Sequence, residues 1–165
     1  MKSQLSLLLI MLALMLSSFS YKTPETFSDA EPPEGKIDKE LILKLVNEFR
    51  TNGCYCGSEY FPPVEPVYWH DTLEISAKEH SNDMYFGEFV NHIGSDGSNP
   101  GERLLRHGFR WHGVGENLAM NYFSERRVVL AWMGSYGHCK NIMGPRFRYI
   151  GVSHTGFYWT MLLAL

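Results

Sequence analysis

Apolar residues fall into one leading run, several stretches at helical spacing, and two β-rich runs near the C-terminus. Leu5 to Leu16 is uncharged, follows Lys2, and ends at Ser18-Phe19-Ser20, a small-x-small cleavage site. Residues 1–20 therefore read as a signal peptide. The run is shorter than the ~20 residues that span a bilayer, so no membrane span is expected once it is cleaved. Residues 21–37 hold Pro24, Pro32 and Pro33 among acidic side chains, the composition of a flexible leader.

Asp38 then stands as an N-cap before Ile42, Leu45, Val46 and Phe49, and Gly53 is placed to end that helix. Asn47 and Arg50 lie off the apolar stripe, where they can make polar contacts at its edge. Gly53 to Pro66 reads as a loop carrying Cys54 and Cys56. A second helix begins at Asp71, with Glu74 three positions on as in a capping box. Leu73, Ala77, His80 and Met84 share one face of it, and Gly87 closes it. Residues 94–101 are turn chemistry throughout. Asn99 caps a short helix that has Pro100 at its first position and runs to Gly108. Ser124 caps another, with Val128, Val129, Trp132 and Met133 on its apolar face; Gly137 is expected to break it just before His138. Arg148–His154 and Phe157–Leu163 are β-rich and joined by Thr155-Gly156, a hairpin signal. The second run is apolar on both faces, the mark of a central, covered strand. Residues 38–165 thus predict one α+β domain, helices wrapped around a small antiparallel sheet.

Composition narrows the class. A formal net charge of −3 leaves no electrostatic footprint for nucleic acid or an anionic membrane surface. Three cysteines behind an export signal suggest one disulfide and one spare thiol. Seven histidines need sorting. His80 lies on an apolar helix face and reads as a hydrogen-bonded core residue. His70, His107, His112 and His154 read as surface or turn residues. His92 and His138 each lie close to glycine, which permits near approach of a ligand or another backbone. With Glu116, in Gly115-Glu116-Asn117-Leu118-Ala119, they supply two imidazoles and one carboxylate. Such a set can hold zinc with an open position or act as a metal-free proton-transfer cluster. The chain has no His-Glu-x-x-His, no Gly-x-Ser-x-Gly and no phosphate-binding glycine loop.

Several segments in order resemble the CAP superfamily, also called SCP or PR-1-like, in its bacterial secreted branch. His80-Ser81-Asn82-Asp83-Met84 is similar to the family's second-helix signature, and Phe89-Val90-Asn91-His92-Ile93-Gly94 to its first histidine segment. Gly115-Glu116-Asn117-Leu118-Ala119 resembles its most specific short motif. The stretch from Trp132 to Met143, containing Ser135, His138 and Cys139, resembles the second histidine segment. Ile150-Gly151-Val152 and Tyr158-Trp159-Thr160 are similar to its terminal strands.

The resemblance implies a three-layer α-β-α sandwich with a central, mainly antiparallel sheet and a cavity lined by two histidines and two acidic residues. His92, Glu116 and His138 match three of those positions. Ser135 stands where plant-type members carry a glutamate, so one charge of the set is absent. His92 and His138 remain candidate zinc ligands, and Glu116 a candidate general base. The bacterial branch pairs a cysteine like Cys139 with one in the loop after the first helix; Cys56 is the better match, and Cys54 stays open. Three functional readings follow. The first is a secreted extracellular or periplasmic module binding a lipid, peptide or cell-envelope component. The second is a metal-assisted, peptidase-like hydrolase. The third is an extracellular module whose cavity is structural.

Overall fold

The computed structural model describes residues 36–165. The signal peptide expected over 1–20 and nearly all of the leader expected over 21–37 lie outside the described residues. Ile37, the last leader residue, is buried in the main core, so packing begins one residue before the first helix cap.

Helix α1 (Lys39–Asn52) starts where the Asp38 carboxylate accepts the Leu41 N–H at 2.9 Å and stops at Gly53, φ 72°. Ile42, Leu45 and Val46 form its buried stripe. Asn47 exchanges two hydrogen bonds with the Val67 backbone, at 3.0 and 2.9 Å. Arg50, expected at the edge of the stripe, is instead fully buried. Its guanidinium donates to the carbonyls of Glu65, Ile142, Gly144 and Phe147, which pins the chain after the last helix against α1. Burial away from any carboxylate partner pulls its pKa down to about 10. The segment read as a loop after α1 contains a hairpin, β1 (Cys54–Cys56) with β2 (Glu59–Phe61).

A short β3 (Tyr68–Trp69) leads into α2 (Asp71–Gly87). The cap there is His70, whose Nδ1 accepts the Thr72 N–H, rather than Asp71 with Glu74. Helix α3 (Pro100–Arg106) carries the expected Asn99 cap with Pro100 at its first position, and Glu102 closes it into a capping box, a feature expected only at α2. The chain continues through β4 (Val114–Met120), α4 (Glu125–Met133), α5 (Tyr136–Ile142), β5 (Tyr149–Thr155) and β6 (Tyr158–Ala164).

The sheet order is β3-β5-β6-β4, antiparallel except for the parallel β3–β5 pair. Alternation along β6 divides the core into two layers. Trp159, Met161 and Leu163 join the cluster of α1, α4 and α5, while Leu162 and Ala164 join Leu73, Ala77 and Leu104 of α2 and α3. The covered central strand expected near the C-terminus is β6, with all seven residues buried. Gly151 on β5 lets α2 approach: a Cβ there would stand 2.3 Å from the Glu74 backbone nitrogen. Helices therefore cover both faces of the sheet, an α+β sandwich of three layers. Among the described residues no helix is long and apolar enough to cross a membrane.

Candidate functional site

The site is built on β4, an edge strand whose two sides contact different helical layers. Register places Glu116 opposite Leu162 and Asn117 opposite Met161. Glu116 therefore shares a face with the α2–α3 layer, and Asn117 with the α5 layer. The Glu116 side chain is 2% exposed, and both of its oxygens are engaged. Oε1 accepts from His92 Nδ1 at 2.8 Å, and Oε2 accepts from Arg103 Nη2 at 2.6 Å. Arg103 is as buried as its partner and also donates from Nη1 to the carbonyls of His92 and Ser98. One arginine thus holds both the carboxylate and the backbone of the histidine that the carboxylate orients.

His92 lies on the segment between α2 and α3, with its side chain 56% exposed. The hydrogen bond to Glu116 raises its pKa above the ordinary imidazole value. With Nδ1 donating to the carboxylate, Nε2 is the nitrogen left for a ligand. Immediately upstream, His80 is fully buried and pairs through Nε2 with the Asn91 carbonyl at 2.8 Å. A carbonyl only accepts, so Nε2 carries the proton and His80 acts as a core tie for the His92 segment. Burial lowers its pKa.

His138 reaches the same edge from the other layer. Sequence reading places it just after a helix break at Gly137. In the structure α4 ends earlier, Gly134 caps it, and His138 sits in the first turn of a separate helix, α5. Ser135 is the N-cap of α5 and its hydroxyl makes no capping bond. His138 is half-buried; burial first, and then the charge of His92, hold its pKa below the ordinary value. Its backbone carbonyl accepts from Asn117 Nδ2 at 3.1 Å. Asn141 continues the link, donating to the Glu116 carbonyl and to Asn117 Oδ1. Cys139 is bonded to Cys56, leaving Cys54 as the thiol.

Arg103 is the functional neighbour that sequence reading missed. It lies on a seven-residue helix, too short for periodicity to show that it faces inward beside Leu104. The structure assembles Arg103–Glu116–His92 as one hydrogen-bonded row, with His138 close enough to feel the charge of His92. The donor atoms of His92, Glu116 and His138 do not all lie within 4.8 Å of one another. Among the described residues only the three cysteine sulfurs form such a group, and two of these are in the disulfide. Two imidazoles with Glu116 taken by Arg103 fall short of the three protein ligands usual at a catalytic zinc.

The order of motifs, the sandwich and the edge-strand site converge on one family. The chain belongs to the CAP, or cysteine-rich secretory protein, family, whose profile matches residues 43–158. It is 34% identical over 99 residues to the uncharacterized protein YkwD of Bacillus subtilis. That match covers 59% of this chain and only 38% of YkwD, so this chain spans well under half of that relative. An extracellular SCP-domain protein of Bacillus anthracis has a similar fold: TM-score 0.66, 24% identity, 76% of this chain and 39% of that one. An outer surface protein of Borrelia burgdorferi aligns at TM-score 0.61 and 22% identity, over 79% of this chain and 97% of that one.

Proposed function

We propose that the chain is an exported binding module rather than a hydrolase, with His92 and His138 presented at the β4 edge to an amphipathic ligand, a lipid or a peptide. The observation that carries this reading is the state of Glu116: its buried carboxylate has one oxygen on Arg103 and the other on His92. A general base must lie within reach of the proton it removes, and a carboxylate only 2% exposed and held by Arg103 and His92 offers a substrate little approach. Glu116 instead orients His92, as a carboxylate does in a charge-assisted pair.

The surroundings support an amphipathic ligand. Val90 and Ile93, on the same segment as His92, are 45% and 46% exposed, so that segment offers apolar surface as well as an imidazole. Zinc enters this reading as a weak accessory ligand of His92 and His138, not as a resident catalytic ion. Export accords with the signal peptide read from the sequence of residues 1–20 and with the extracellular and outer-surface descriptions of the two structural neighbours.

The test has two parts: extracting purified chain for co-purified lipid, and titrating it with an apolar environment-sensitive fluorophore. Saturable uptake, weakened about tenfold or more by His92→Ala, is expected; tenfold corresponds to about 1.4 kcal/mol. Failure of both, with no lipid extracted and no saturable uptake, would overturn the binding reading. Turnover of peptide or ester libraries that disappears in Glu116→Gln would replace it with the hydrolase.

A further inference from the structure

The β1 hairpin sets two cysteines against one. Cys54 and Cys56 stand at alternate positions of a strand and so share a face. That face meets α5, where Cys139 is bonded to Cys56. The free Cys54 sulfur is 4.0 Å from the Cys139 sulfur, and all three sulfurs lie within 4.8 Å of one another. Cys56 and Cys139 are fully buried, whereas Cys54 is partly open to solvent.

From this geometry we infer that the three sulfurs form an internal thiol–disulfide exchange site, in which the bridge moves from Cys56–Cys139 to Cys54–Cys139. The Cys54 thiolate attacks Cys139 Sγ. The Cys54–Cys139 bond forms as the Cys56–Cys139 bond breaks, and Cys56 leaves as the thiolate and takes up the proton. Nothing is oxidised or reduced overall, and no outside reagent enters the balance. Attack on Cys56 is disfavoured, because residues i and i+2 of a strand are roughly 6.6 Å apart at Cα, near the limit of a disulfide.

The exchange is gated. In-line attack needs the thiol on the axis of the bond, about 6 Å from the far sulfur given a bond of roughly 2 Å. Cys54 lies within 4.8 Å of Cys56, beside the bond rather than on its axis. The two-stranded hairpin must therefore tilt along α5 before the bond can pass. Burial also raises the Cys54 pKa, which keeps the attacking thiolate scarce near neutrality. The consequence reaches the β4 edge, since Cys139 adjoins His138 and shares α5 with Asn141. Moving the bridge by two residues of β1 shifts the helix that presents His138.

The test uses the whole chain without reductant, held at pH 6, 7.5 and 9, then acid-quenched, denatured and alkylated. Chymotryptic cleavage after Tyr55 separates Cys54 from Cys56 for mass spectrometry. Label confined to Cys54 at pH 6, with label on Cys56 rising at least tenfold by pH 9, is the expected result. Label on Cys54 alone at every pH would overturn the exchange. Cys56→Ser gives an independent check: air-oxidised, it should form Cys54–Cys139 and show no free thiol, and two free thiols would show that Cys54 does not reach Cys139. Cys54→Ser should keep Cys56–Cys139 at all three pH values; label on Cys56 in that variant would mean that the bridge opens without Cys54.

Discussion

His92 and His138 lie close enough for one to feel the charge of the other, yet different physics holds them. His92 depends on charge: a buried arginine, a buried carboxylate, and a carbonyl tied to the same guanidinium. His138 depends mainly on covalent and neutral links, the disulfide at Cys139 and the Asn117–Asn141 amides, with the Arg50 guanidinium gripping the Ile142 carbonyl at the end of α5. Charged supports tune an imidazole as well as place it, whereas covalent ones only place it. The two pKa directions are opposite because the Glu116 hydrogen bond raises that of His92, whereas burial and then the charge of His92 lower that of His138.

The harshest way to break the comparison is Arg103→Met, which leaves Glu116 buried without its cation. A loss of about 3–5 kcal/mol is expected from breaking a buried pair, read as a lower denaturant midpoint. A loss below 1 kcal/mol would show that water reaches Glu116 and that charge does not hold the His92 half. The double change Arg103→Met with Glu116→Gln should recover part of the loss, since it removes the unpaired charge.

The covalent half comes next. Reducing Cys56–Cys139, whose partners lie 83 residues apart, should cost up to about 4 kcal/mol in the loop-entropy picture. The effect should appear in the denaturant midpoint and leave the pKa of His92 in place. A shift of His92 on reduction would mean that the two halves are mechanically coupled.

A smaller effect is expected from Asn141→Ala, which removes the donor to the Glu116 carbonyl and to Asn117. About 1–3 kcal/mol is expected where a partly buried group loses its partner. Chemical shifts of His138 should move more than those of His92.

The gentlest test is titration. The folded pKa of His92 lies above its unfolded value, about 6.5, because its charged form pairs with Glu116. Its contribution to stability is therefore complete below that value and is lost as pH rises through the folded pKa. His138 runs the other way. Its folded pKa is depressed by burial and by His92, so its contribution is present above about 6.5 and is lost as pH falls through the folded pKa. NMR titration should give two separate midpoints in that order, and Glu116→Gln should lower only that of His92. Coincident midpoints in the native chain would erase the distinction.

Much of this was legible without a structure. Asp38, Asn99 with Pro100, and the stripe Val128, Val129, Trp132 and Met133 announce their helices, because caps and i, i+3, i+4 spacing are local properties. The last run reads as a covered strand because both of its faces are apolar, and β6 is the covered strand. The Gly-Glu-Asn-Leu-Ala stretch marks the family, but nothing in it announces β4. Its buried residues include a charge and an amide, which mask the alternation of a strand. Arg50 reads only as an edge residue of its helix stripe and Arg103 is not singled out at all, yet both are buried, since what keeps them inside is contributed by other segments. A local pattern reports a residue's own helix or strand. It is silent on the partners that folding delivers.

Periodicity, capping and short motifs were enough for α1 to α4, the central strand and the membership of the family. Folding was needed to show that Glu116 is shared between Arg103 and His92, that His138 lies in a helix of its own, and that Cys54 stands beside the bridge. The first and the last of these are contacts between separate segments of the chain. Burial made the contact necessary, because a charge or a polar group removed from water must find its partner wherever the fold places one.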